Sequence, residues 1–164
     1  MCDKHVRQVG NGSVVMPLIK NRGFRIFGGP YRQRPSDMTG VKMAVEISAP
    51  AEINVPTRDY SVPSKADLDA GLIAAINCMT KGQTLYVGCM GGMGRTGLFL
   101  AVLAKAFGVK KPVEFIRANY YAHAVETKEQ YQYVADYVIP PQIKKKLFRA
   151  RLRYFFFRSK LEKA

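Results

Sequence analysis

The sequence predicts an α/β fold in which helices flank a central mixed, largely parallel sheet. Short apolar, β-branched runs alternate with longer segments of helical period. Start and stop signals for helices fall at the ends of those longer segments. The run Thr84 to Gly88 also passes through a glycine-rich loop straight into an apolar helical pattern, Leu98 to Phe107. At 164 residues the chain is long enough for one domain with a single good core.

In chain order, Phe24-Arg25-Ile26-Phe27 reads as a strand, followed by a turn at Gly28-Gly29-Pro30. Lys42 to Ile47 reads as a second strand, and Ile53 to Val55 as a short third. Ser64-x-x-Asp67 is a capping box for a helix over about 64–79, with Leu68, Leu72, Ile73, Ile76 and Cys78 on its apolar face. Gly82 starts the turn into the strand at 84. The helix after the glycine loop ends near Lys105, with Gly108 as its C-terminal cap. Pro112 suits the first turn of the next helix, which runs through Phe115, Ile116 and Tyr120. Thr127-x-x-Gln130 caps another, which must stop before Pro140-Pro141.

Composition argues for a folded intracellular protein. Hydrophobic residues make up 48% of the chain, with nine Tyr and nine Phe, too apolar for disorder. Cys2, Cys78 and Cys89 are an odd number without paired spacing, which points to reduced thiols. No long apolar run or signal-peptide core is present, so the cytoplasm is the expected location.

The net charge of +14 is concentrated at the ends. Residues 43–139 carry nine basic and nine acidic side chains, whereas residues 140–164 carry nine basic against one acidic. The organisation expected is a single domain over 1–139, with a basic segment at 1–23, followed by a basic amphipathic helix at 140–164. In that helix Ile143, Leu147, Ala150, Tyr154, Phe157 and Leu161 recur at helical spacing, and Phe148, Leu152, Phe155 and Phe156 widen the face. It either packs on the domain or attracts an anionic membrane surface, nucleic acid or an acidic partner.

The densest chemistry lies in Tyr86-Val87-Gly88-Cys89-Met90-Gly91-Gly92-Met93-Gly94-Arg95-Thr96-Gly97, where five residues separate Cys89 from Arg95. A loop entering a helix directs unpaired N–H groups and the positive end of the helix dipole at one point. Gly91, Gly92 and Gly94 supply the backbone freedom needed to aim those groups inward as an anion nest. Cys89 would sit in that field, which favours the nucleophilic thiolate. Arg95 offers a planar fork for two phosphate oxygens. Residues 90–95 thus form a phosphate cradle with a nucleophile at one end and a clamp at the other. No metal or cofactor is required, because the loop and Arg95 supply the positive charge. Gly92-x-Gly94-x-x-Gly97 also matches a dinucleotide fingerprint, but no acidic residue follows in a clear second-strand position. A Walker-type Gly-Lys-Ser/Thr is absent.

These residues resemble the Cys-x5-Arg-Ser/Thr signature of cysteine-dependent protein phosphatases, the tyrosine and dual-specificity group. The resemblance runs from about Phe24 to Tyr137. Upstream, Val55-Pro56-Thr57-Arg58-Asp59-Tyr60-Ser61-Val62-Pro63 is similar to the family's general-acid loop and makes Asp59 the candidate acid. Low-molecular-weight phosphatases and arsenate reductases have their cysteine near the N-terminus, the reverse order. The resemblance implies that Thr96 assists departure of the thiolate, and that Gln130, within Glu126-Thr127-Lys128-Glu129-Gln130, helps to position water. Two departures are plain: Gly88 replaces the usual histidine before the cysteine, and Glu126 replaces a glutamine. His123 reads as a loop residue, and Lys20-Asn21-Arg22 faintly echoes a phosphotyrosine-recognition loop. The function implied is hydrolysis of phosphoprotein at phosphotyrosine, with phosphoserine or phosphothreonine as further substrates of a compact dual-specificity type, through a phosphocysteine intermediate. Phosphoinositides, RNA 5′ phosphates and a non-catalytic phosphate-binding role are the alternatives.

Overall fold

A computed structural model describes residues 11–19 and 22–161. Cys2, Lys20, Asn21 and most of the basic segment 1–23 lie outside the described residues, as do the side chains of the helical positions Tyr154, Phe155, Phe156, Phe157 and Leu161.

The strands are β1 (Gly12–Ile19), β2 (Arg22–Pro30), β3 (Thr39–Ala44), β4 (Ile53–Thr57) and β5 (Leu85–Cys89). The helices are α1 (Lys65–Thr80), α2 (Gly94–Ala106), α3 (Pro112–Asn119), α4 (Lys128–Asp136) and α5 (Pro141–Leu161). The sheet order is β1-β2-β5-β3-β4, with β1 and β2 antiparallel and every other pairing parallel. This is the mixed, largely parallel α/β architecture that the sequence implies.

All five residues of β5 are buried, as befits the central strand of a sheet covered on both faces. On the edge, β4 buries Ile53, Val55 and Thr57 and exposes Asn54 and Pro56. A proline costs no sheet hydrogen bond there if its nitrogen faces outward. Helix α2 is buried at every residue from Gly94 to Ala104 and forms the centre of the core. Ile143 and Leu147 of α5 join the same cluster.

The caps fall where residue type demands. Ser64 Oγ accepts the Asp67 N–H at 3.1 Å, and Thr127 and Gln130 form a reciprocal capping box. Gly82 and Gly108, with φ of 83° and 91°, end α1 and α2 in the left-handed region that glycine tolerates best.

Four elements differ from the sequence reading. Gly28-Gly29-Pro30 is not a turn but the end of β2, paired with Val87, Gly88 and Cys89 of β5. Glycine is needed there for space: a Cβ at Gly28 would lie 3.0 Å from the Tyr120 ring, and one at Gly29 would meet the Tyr86 hydroxyl. The second strand ends at Ala44, so Val45 and Glu46 leave the sheet. Helix α2 begins at Gly94, four residues before the apolar pattern, which puts Arg95 and Thr96 in its first turn. Strand β1 carries a period-2 pattern, with Val14, Met16 and Leu18 buried, that Pro17 and Gly12 disguise.

Among the described residues no helix is long and apolar enough to cross a membrane. The buried Tyr133 hydroxyl finds no hydrogen-bond partner among them. Burial, with the Asp69 charge, pushes the Tyr133 pKa up to about 12 from an ordinary 10.0. The unfolded chain therefore ionises this phenol first, and stability present below about pH 10 is expected to fall as pH rises toward about 12. Tyr133→Phe should raise the thermal midpoint by a few degrees, since an unpaired buried hydroxyl costs about 1–3 kcal/mol. It should also soften the alkaline loss. A lower midpoint in calorimetry would reveal a partner for this hydroxyl.

Candidate active site

The site lies at the carboxyl end of β5, where open α/β sheets place their ligands. Cys89 is the last residue of that strand, only 3% exposed, and residues 90–93 lead from it into α2. The Thr96 hydroxyl, one turn into α2, donates to Cys89 Sγ at 3.2 Å.

Of the three loop glycines, only Gly92 has a positive φ, 71°. Its carbonyl accepts from the buried Tyr120 hydroxyl at 2.6 Å, which pins that peptide. Burial, reinforced by the charge of Cys89, holds the Tyr120 pKa well above the phenolic range, so this group stays a donor. Gly94 is needed for space: a Cβ there would run into the Glu126 carboxylate and sit 3.0 Å from Gln130 Oε1. Tyr120→Phe is expected to free the Gly92 peptide and reduce kcat/KM about tenfold, the worth of one well-placed hydrogen bond. Unchanged steady-state kinetics would show that the loop holds its shape unaided.

Gly88 departs from the phosphatase signature for a steric reason. It pairs with Gly29 in the parallel register of β2 and β5. A Cβ on Gly88 would lie 2.7 Å from Tyr31 Cα and 2.9 Å from the Gly29 carbonyl oxygen, so no side chain fits without moving backbone.

Arg95 is 2% exposed, yet every polar contact it makes is to oxygen. Nη1 donates to Glu46 Oε2 and to the Thr57 carbonyl, each at 2.9 Å. Nη2 donates to Glu46 Oε1 at 2.6 Å and forms an ion pair with Asp59 Oδ1 at 2.9 Å. The two-pronged contact with Glu46 is the geometry a guanidinium favours over an ammonium. Burial works against the charge on Arg95. The Glu46 hydrogen bonds and the neighbouring Cys89 and Asp59 charges outweigh it and hold the pKa above the usual arginine value. Reciprocally, the hydrogen bonds from Arg95 keep the Glu46 carboxyl below the ordinary glutamate range.

Asp59 is exposed at the loop after β4, and its Oδ1 also accepts the Tyr60 N–H at 3.1 Å. Tyr60 adopts a left-handed φ of 57°, which turns the chain sharply and leaves its ring 63% exposed beside the acid. Gln130 is fully buried and its amide is engaged throughout. Oε1 accepts the N–H groups of Glu126 at 2.9 Å and Thr127 at 3.4 Å, and Nε2 donates to the Ser61 carbonyl at 3.2 Å. It therefore ties the Asp59 loop to the segment before α4. Arg117 braces the same segment by donating to the carbonyls of Ala124 and Val125, each at 2.9 Å. Val125 there has φ 61°, an unfavourable angle for a β-branched residue. His123 is exposed and packs edge-on against Tyr121, away from these contacts.

The structure thus gathers Cys89, Arg95, Thr96, the loop 90–94 and Asp59 at one point. Sequence reasoning misses Glu46, Tyr120 and the Thr57 carbonyl. Glu46 carries a signal, as the lone acid in the apolar run Met43 to Ile47. Tyr120 carries none, because only the fold brings it to Gly92.

Residues 34–137, more than half of the chain, match the family described as PTP-SAK, Swiss Army Knife protein, DSP-PTPase phosphatase domain. The chain belongs to this family. Around this PTP-SAK domain, sequence relatives include the uncharacterised protein MJ0215 of Methanocaldococcus jannaschii, 40% identical over 84 residues, 51% of this chain and 53% of that protein. The chain spans about half the length of the curated relatives it matches. Among solved structures, the PTP-SAK domain resembles Tk-PTP in its active form, with a TM-score of 0.57 and 19% identity over 80% of this chain and 96% of that one. It also resembles kinase associated phosphatase (KAP) bearing a serine in place of its catalytic site cysteine, with a TM-score of 0.57 and 12% identity over 81% and 99% of the two chains. At these identities the solved structures attest the fold: that of a dual-specificity-type cysteine phosphatase.

Proposed function

We propose that this chain hydrolyses phosphomonoesters of phosphoprotein, phosphotyrosine first and phosphoserine or phosphothreonine also, through a phosphocysteine intermediate. The observation that carries the reading is the ion pair between Arg95 and Asp59 at 2.9 Å. It brings an acid from the loop after edge strand β4 to the arginine that closes the phosphate loop, which phosphate binding alone does not require.

In the first step Cys89 Sγ, as thiolate, bonds to phosphorus while the ester P–O bond breaks. Asp59 gives its proton to the departing oxygen. The loop N–H groups of residues 90–95 and the Arg95 guanidinium hold the equatorial oxygens, where charge spreads in a loose transition state. A bound phosphate would take over the Nη2 ion-pair contact now made with Asp59, freeing the carboxyl for the leaving oxygen. In the second step Asp59 takes a proton from water as the water oxygen bonds to phosphorus, and the S–P bond breaks. The Thr96 hydroxyl, which donates to Sγ at 3.2 Å, stabilises the departing thiolate. Gln130 acts indirectly, by fixing the Asp59 loop through Ser61.

The test is the leaving-group dependence of Asp59→Ala. Esters of poor leaving groups should slow by about a hundredfold or more, the range of general acid catalysis, and an activated aryl phosphate far less. An equal loss on both would assign the proton to another group. Rates on phosphotyrosine and phosphoserine peptides, a phosphoinositide and a 5′-phosphorylated RNA decide the substrate class. The phosphoprotein reading stands if the peptides lead.

A further inference from the structure

We propose that the outward face of α5 is a docking surface for an anionic lipid bilayer. The inward face is already committed. Ile143 and Leu147 are buried in the core, Lys146 Nζ donates to Asn77 Oδ1 at 2.7 Å, and Arg151 donates to the carbonyls of Leu18 at 3.1 Å and Phe107 at 2.8 Å. These contacts set the rotation of the helix and leave Lys144, Lys145, Phe148, Arg149, Leu152 and Arg153 facing outward, exposed among the described residues.

The rotation explains a departure from the simple amphipathic pattern. Phe148 follows Leu147 by one residue, about 100° around a helix of 3.6 residues per turn. It therefore projects outward and does not widen the core face; it is 61% exposed, and Leu152, one turn on, 40%. Residues three and four apart are neighbours on a helix. Phe148 and Leu152 thus form an apolar seam, with Lys144 one turn before it and the row Lys145, Arg149 and Arg153 alongside. No acidic residue occurs from 137 to 161 to neutralise these cations. In the sequence, Phe155 and Phe156 follow Leu152 at three and four residues, with Arg158 and Lys160 beyond.

A phosphate-bearing polymer would satisfy the cations but leave the ring of Phe148 and the side chain of Leu152 in water. A bilayer surface covers both, since headgroups meet the Lys and Arg rows while apolar side chains enter the acyl boundary. The surface is remote in sequence from Cys89 and Asp59 and does not rest on the phosphatase reading.

The full chain would be sedimented with vesicles of phosphatidylcholine alone and of phosphatidylcholine with phosphatidylserine. Binding is expected only to the second, and to fall as salt rises. Phe148→Ser with Leu152→Ser keeps every charge and should lower partitioning by about tenfold or more. Lys145→Glu with Arg149→Glu changes the local charge by four units and should weaken binding by roughly several hundredfold, each unit being worth about fivefold. Both sites are exposed, so unchanged melting and aryl phosphate hydrolysis are expected and serve as folding checks. The proposal is overturned if wild type ignores phosphatidylserine or binds both vesicles equally. It is also overturned if the double serine variant binds like wild type, or if an oligonucleotide binds more tightly than the anionic vesicles with no dependence on Phe148 and Leu152.

Discussion

Cys89→Ser is expected to reduce kcat by about ten-thousand-fold or more, the scale of losing a nucleophile that acts with its partners as a unit. A serine hydroxyl is far less acidic than a thiol and cannot stand in for the thiolate nucleophile proposed at this position. Oxyanion binding should survive, since the cradle is backbone and Arg95 keeps its contacts with Glu46 and Thr57. Equilibrium binding of vanadate or of a phosphopeptide by the variant, beside single-turnover kinetics, checks both halves. Turnover near the wild-type rate would remove the nucleophile assignment. Lost binding with lost turnover would point to collapse of the loop.

Arg95→Lys should be nearly as damaging, about a thousandfold in kcat/KM, within the range seen for transition-state arginines. An ammonium cannot reproduce two parallel bonds to Glu46 together with a third to the Thr57 carbonyl. With 2% exposure there is also no solvent to fill the missing donors, so the site's walls, as well as its charge, should change. The effect should appear in KM and kcat alike, because the same guanidinium would face phosphate in both the ground state and the transition state. A loss confined to KM would mean that Arg95 binds phosphate without favouring reaction.

What was legible in the sequence follows contiguity. Cys89 and Arg95 sit within seven residues and their chemistry depends on local backbone, so spacing exposes them, whereas Thr96 is singled out only by the family resemblance. Asp59 is readable only through the likeness of Val55 to Pro63 to the general-acid loop of cysteine phosphatases. Glu46 is bound to Arg95 across 49 positions, a separation the sheet order closes, and Tyr120 reaches Gly92 across 28, which the packing of α3 on α2 closes. The glycines at 28 and 29 mislead for a related reason. They look like turn residues, but their function is to make room for Tyr120 and Tyr86 from elsewhere in the chain. Gln130 fits two roles at one spacing, and the hydrogen bonds it makes are those of a cap and a brace.

The family match begins at residue 34, after the β1–β2 hairpin, yet that hairpin supplies one whole flank of the strand that ends in Cys89. A chain trimmed to the matched segment would strip β5 of the partner that runs beside it from Leu85 to Cys89. Its amide edge would then lie open to water or to another molecule. The hairpin is therefore part of the floor beneath the Cys89 loop, and family boundaries drawn by similarity cut through this protein where its mechanics do not.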